Sequence, residues 1–174
     1  RTHKMTQTQV ERLFIADKEK LMSETWRLHT SLTTSSGDNT LTSNLERADT
    51  SIIDGQLNAG MTESSGVFTF PKTGFYQVTF SIYFYSDGQG ESNYIGGQIL
   101  VTTDNSNYSI SAIGYENVVA SNDHAHLTII QIIDVTDTSN VKVKFNVPTD
   151  ADVTAIGNSS QNRTCMTFNY LGDT

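Results

Sequence analysis

From about residue 26 onward the chain alternates apolar and polar positions in short runs. In residues 75–85 one face carries Tyr76, Val78, Phe80, Ile82 and Phe84 without a break, the period-two pattern of a strand with one buried side. The other face, Phe75, Gln77, Thr79, Ser81, Tyr83 and Tyr85, is mixed and aromatic at both ends. Residues 141–147 alternate cleanly, with Val141, Val143, Phe145 and Val147 against Lys142, Lys144 and Asn146, so this strand has one wet face. Residues 127–135 differ. Ile129 and Ile133 fall on one face, and Ile130 and Ile132 on the other. A strand apolar on both faces needs a cover on its outer side, and no amphipathic helix is predicted in that half of the chain. Another subunit is the economical cover.

Further strands are predicted at residues 26–32, 66–70, 94–103, 109–115 and 164–171. Turn-forming clusters rich in Asp, Asn, Ser and Gly separate them at 86–90, 104–107, 137–140 and 157–162. Pro71-Lys72-Thr73-Gly74 is a tight connection of the same kind. Many short strands at this spacing, with no alternating helices, predict an all-β sandwich or barrel rather than a parallel α/β sheet.

Residues 8–24 favour helix. Thr8-Gln9-Val10-Glu11 fits a capping box, and Val10, Leu13, Phe14 and Leu21 lie on one stripe interrupted by Asp17. An isolated helix of this length is marginal in water, so it is expected to pack on its own domain, on a particle partner or on copies of itself. The chain divides into residues 1–25, a helical stem or anchor, and residues 26–174, the β domain. It opens at Arg1 rather than Met, and residues are expected to precede it.

Composition narrows the function. Charged residues make up 17% of the 174 and the formal net charge is −8; no Lys/Arg cluster offers the basic face that nucleic acid needs. No apolar run approaches the roughly 20 residues of a membrane-spanning helix, so no membrane insertion is expected. The single cysteine, Cys165, sits in a strand-like run and reads as a small buried side chain with no disulfide partner in the chain.

The run Phe68-x-Phe70-Pro71-x-x-Gly74-x-Tyr76-x-Val78-x-Phe80 resembles the B–C strand signature of C1q/TNF-like jelly-roll domains, and the likeness extends from Trp26 to the end of the chain. Residues 60–71, the turn Thr102-Thr103-Asp104-Asn105-Ser106, the segment Asp134-Val135-Thr136-Asp137-Thr138, and the ending Met166-Thr167-Phe168 with Leu171-Gly172-Asp173-Thr174 resemble C1q-like structural proteins of marine tailed phages. The family resemblance implies a ten-strand jelly roll assembled as a homotrimer. That places Phe75, Tyr83, Tyr85, Ile130 and Ile132 at the subunit contact. The phage resemblance implies a head fibre, capsid decoration or tail-fibre tip at the virion surface, joined to other virion proteins through residues 1–25. The collagen-like stalk of animal members is missing, so complement-type partners do not carry over.

Loops on such a scaffold would carry any contact with a host-surface glycan or protein. Asp87, Glu91, Asn93, Asn107, Asn122, Asp123 and His124 are the candidates, with Tyr94, Tyr108 and Tyr115 as aromatic sugar contacts. His124-Ala125-His126 has metal-like spacing, and three copies about an axis would offer six imidazoles, as the resemblance to iron-holding fibre tips implies. A solvated His pair in a polar loop is the competing reading. The resemblance also opens a place for Ca²⁺ among Asp87, Glu91, Asp104, Asn105, Asp123 and Asp137, although no loop has the EF-hand arrangement and turn chemistry accounts for the same residues. Enzyme signatures are absent. The carboxylate pairs Glu46/Asp49 and Asp150/Asp152 are the only ones worth weighing as a glycosidase acid pair. The sequence therefore predicts a non-enzymatic virion protein with a trimeric fibre or decoration role. A purely architectural capsid-cementing protein and a secreted bacterial binding module are the alternatives.

Overall fold

The structure is a computed structural model and describes residues 6–9, 21–50, 53–86 and 92–174. Residues 7–9 are helical, and Thr6 caps them: its N–H donates to Gln9 Oε1 (2.9 Å) and its Oγ1 accepts from the Gln9 N–H (3.3 Å). Thr6 and Gln9 thus form a reciprocal capping pair; Glu11, of the expected Thr8–Glu11 box, lies outside the described residues. Val10, Leu13 and Phe14 lie outside the described residues. Leu21 is exposed just ahead of the first strand. Ser23 and Glu24, expected as helix, are strand.

The strands are β1 Ser23–Leu28, β2 Leu32–Thr33, β3 Gly37–Thr40, β4 Leu45–Arg47, β5 Asp49–Thr50 and β6 Ile53–Asp54. Then come β7 Gln56–Leu57, β8 Thr62–Ser64, β9 Val67–Thr69, β10 Gly74–Tyr85 and β11 Ser92–Thr102. The chain finishes with β12 Tyr108–Val118, β13 His124–Val135, β14 Lys142–Thr149, β15 Thr154–Ala155 and β16 Cys165–Gly172. All pairings are antiparallel. One sheet runs β13–β10–β16–β1–β4, with β15 replacing β16 beside Phe84 and Tyr85 and β2 beyond it. The second runs β12–β11–β14–β9–β8, with β3 on the other half of β14. For clarity these are sheets I and II.

The inner face of β10 is the predicted one: Tyr76, Val78, Phe80, Ile82 and Phe84 are fully buried. Met166 and Phe168 of the neighbouring strand β16 extend the same inner face, and Val143, Phe145 and Val147 of β14 in sheet II meet it from across the sandwich. Phe68 sits at the centre, with its ring 5.5 Å from Trp26, 5.5 Å from Phe145 and 5.2 Å from Phe168. Burial of this aromatic cluster is the main favourable contribution to folding. β1 carries two buried charges, one on each face. Glu24, on the inner face of β1, accepts hydrogen bonds from Arg47 Nε and the Met61 N–H. Arg27, on the outer face, is buried against Glu46 (2.8 Å), Asp49 (3.5 Å) and the Ser159 carbonyl.

The β8–β9 hairpin turns on Ser65 (φ 51°) and Gly66 (φ 81°), the two positive-φ residues of a two-residue primed turn. Glycine is required at the second: a Cβ there would stand 2.1 Å from the Leu41 carbonyl oxygen.

Candidate functional site

All five residues predicted for the subunit contact lie on the outer face of sheet I, on β10 and β13. The register sets Ile130 opposite Thr79, Ile132 opposite Gln77, Tyr83 opposite His126 and Tyr85 opposite His124. Ile130 is 57% exposed and Ile132 56%, whereas Ile129 and Ile133 on the same strand are buried. Phe75 and Leu171 are exposed beside them, at the Gly74 end of the sheet. The rest of this face is made of hydroxyls and amides: Thr79, Ser81, Thr128, Thr167, Thr25 and Asn169. Its full charges among the paired positions are Asp134 at one end and the Arg27–Glu46 ion pair of β1 and β4. An apolar, charge-poor patch of this kind has the composition of an interface centre.

The opposite end of the same face brings together residues predicted for two separate roles. The His124 ring stacks on Tyr85 (centroids 4.7 Å apart) and Tyr83 (5.3 Å). Tyr85 Oη donates to Asn122 Oδ1 at 2.8 Å, while the Asp123 N–H donates to Ser86 Oγ at 3.0 Å. His126 Nε2 lies 3.2 Å from Ser81 Oγ. Both histidines belong to β13 rather than to a loop, as alternate residues on one face. Among the described residues no three His, Cys, Asp or Glu side chains gather to hold a metal.

Asp104 and Asp137 are spent on their own turns, and Asp150 on the start of β11. Asp104 accepts from Asn107 Nδ2 (2.7 Å), the Asn107 and Ser106 amides and Thr102 Oγ1. Asp137 accepts from the Ser139 amide and Asn140 Nδ2. Asp150 accepts from Ser92 Oγ (2.6 Å), from Asn93 Nδ2 (2.7 Å) and from the Asn93 and Tyr94 amides. Asn93 and Asn107 therefore act as loop staples. Glu46 and Asp49 both serve Arg27, so this pair does not stand as free acid and base. Asp87 and Glu91 lie outside the described residues.

These contacts set a pH dependence. Hydrogen bonds from Asn107 first, then from Ser106 and Thr102, hold the Asp104 carboxyl well below the usual carboxylate range, and the bond from Ser92 leads the same effect at Asp150. A carboxyl lowered in the folded state contributes stability above its unfolded value of about 3.9, and that contribution is lost as pH falls through the folded value. Carboxyl NMR shifts followed from pH 6 downward should therefore show Asp104 still ionised when exposed aspartates are half-protonated. A midpoint for Asp104 at or above the ordinary value would contradict the loop geometry.

Cys165 is half-buried on the outer face of sheet I, not in the core, because Met166, Phe168 and Tyr170 take the inward positions. Burial pushes its thiol pKa up, away from nucleophilic reactivity. Two exposed apolar residues were not legible in the alternation. Ile110 and Ile113 both point outward from sheet II, although an odd spacing should put them on opposite faces. A bulge at Ser111 explains it, since Ile99 pairs with Ala112 and Leu100 with Ile110. Next to them Tyr94 and Tyr115 meet edge to face at 5.5 Å, both exposed.

Compared as a sequence, the chain matches no family model and no curated protein. Compared as a structure, it is similar to the Eiger TNF of S. frugiperda, with a TM-score of 0.65 at 10% identity over 88% of this chain and 94% of that one. Murine APRIL at pH 5.0 superposes with a TM-score of 0.60 at 8% identity, over 87% of this chain and 99% of that one. Its pH 8.5 structure gives 0.54 at 10% identity, over 86% and 99%. The fold is a TNF-like jelly roll. Identities this low establish the architecture alone, and within it β12 and β13 are the edge strands of the two sheets on one side of the sandwich.

Proposed function

We propose that the chain is a non-enzymatic structural protein that assembles as a homotrimer at a virion surface, as a fibre or capsid decoration whose loops reach the host. The observation that carries the assembly is the apolar, charge-poor outer face of sheet I around Phe75, Ile130 and Ile132. A closed threefold ring joins two different patches, one from each neighbour. A second apolar patch is present: Ile110, Ile113 and Tyr115 on the outer side of edge strand β12. The two patches flank the edge formed by β12 and β13, so one subunit's edge meeting its neighbour's face would cover both. The virion setting rests on the sequence likeness to phage C1q-like structural proteins, and residues 1–25 supply the attachment.

Antibody labelling of intact particles, viewed by electron microscopy, tests this reading. Label at capsid or fibre positions is the expected result, and purified particles without the protein would overturn it. Binding of the protein to host cells separates adhesion from cementing. Absence of binding, together with loss of capsid stability on deletion, would favour the purely architectural role.

A further inference from the structure

The outer face of sheet II carries a cleft that the alternation pattern described only as a wet face. One cross-strand row builds its floor: Thr62 of β8, Thr69 of β9, Lys142 of β14, Thr102 of β11 and Tyr108 of β12 stand side by side in register. Lys144 follows two residues along β14, on the same face, and its Nζ lies 4.0 Å from the centroid of the Tyr108 ring. The turn held by Asp104 brings Asn105 and Ser106 over one end, and Ser64 and Val67 close the other. The space enclosed is about 470 Å³.

Three observations point to the ligand. Among the described residues, no carboxylate pairs with Lys142 or Lys144. Arg27 and Arg47, by contrast, are committed to Glu46, Asp49 and Glu24. The hydroxyls of Thr62, Ser64 and Thr69 make no hydrogen bond to the described protein. Glu63, at the rim, has its carboxylate turned onto the Gly66 amide at 2.6 Å. The cleft thus presents two lysines at alternate positions of β14, their backbones about 6.6 Å apart by strand rise, beside a field of unpartnered hydroxyls. The lining is short of apolar side chains, with Val67 the aliphatic one.

We infer that this cleft binds an acidic saccharide, a uronate-bearing sugar whose carboxylate lies between Lys142 and Lys144 while its hydroxyls meet Thr62, Ser64 and Thr69. A free inorganic anion would use the lysines and leave the hydroxyls idle. A neutral sugar would leave two cations unanswered. The net charge of −8 opposes an acidic ligand at long range, but at physiological salt the screening length is about 8 Å, so the adjacent lysines dominate inside the cleft. The second apolar patch, Ile110, Ile113 and Tyr115, lies farther along β12 on this same face. The proposed assembly contact therefore borders the Tyr108 side of the cleft, while the β8–β9 side lies at the far edge of sheet II.

The inference rests on the adhesive reading of the protein and supplies its site. Calorimetric titration of the full chain with an oligogalacturonate, with the methyl ester of the same oligosaccharide, and with inorganic phosphate tests it. The acid is expected to bind at least about tenfold more tightly than either of the others, a difference of about 1.4 kcal/mol, and to weaken as salt is raised. K142Q/K144Q should lose at least tenfold in affinity with an unchanged melting curve, whereas K72Q, remote from the cleft, should bind as the native chain does. No binding at millimolar oligogalacturonate, equal binding of the ester or of phosphate, or a double variant that binds normally would each overturn the site. Host-cell binding separates the two claims. If native protein and K142Q/K144Q adhere equally, the site is wrong and adhesion stands. If the native chain binds the sugar but not cells, the site stands and the adhesive reading falls.

Discussion

Ile130→Asp should convert the protein from a trimer to a monomer, as read by light scattering or sedimentation at micromolar concentration. In the single chain this side chain is 57% exposed, opposite Thr79 on the outer face of β10. A surface substitution of that kind changes monomer stability by about 0.5 kcal/mol or less, so circular dichroism should be unchanged. In a dry contact the same carboxylate is an unpaired buried charge, which costs several times as much. In the proposed trimer the defect repeats at every interface. Ile132→Asp, two residues along the same face, should behave alike. A native chain that is already monomeric at that concentration would remove the assembly proposal.

Phe68→Ala should have the largest effect on folding. The ring is fully buried and touches Trp26, Phe145 and Phe168, which come from both sheets. Truncation removes the shared contact of three aromatic neighbours that cannot all collapse inward. The expected loss is about 3–5 kcal/mol, measured as a shift of the urea midpoint at constant slope. A loss under about 1 kcal/mol would mean that the cluster repacks freely, and that the aromatic signature around Phe68 and Phe70 is not the centre of the core.

Long strands with one buried face were legible almost to the residue. Residues 75–85 were expected and Gly74–Tyr85 is found; residues 164–171 were expected and Cys165–Gly172 is found. β1 was displaced, because the inward positions are Glu24, Trp26 and Leu28, and a buried carboxylate breaks the alternation that marks a strand. The pairings within residues 32–57 are two to four residues long, too short for any period to show. The outer face of β13 was legible because its isoleucines share one strand. The patch on β12 was hidden by the bulge at Ser111. The lysine cleft was hidden for another reason: Lys142 meets Thr69 and Thr62 only through sheet pairing, and nothing in a linear pattern joins them.

The pairing of β1 with β16 also constrains how the protein is made. Ser23 hydrogen-bonds Asn169 at a separation of 146 residues, and β16 is the strand inserted between β1 and β10. Contacts so distant along the chain close slowly. During synthesis β1 and β10 each wait with an open edge until β16 leaves the ribosome. Unpaired edges of this kind recruit other strands. A chain that stops short of Cys165 would keep both edges open and is bound for aggregation rather than for assembly.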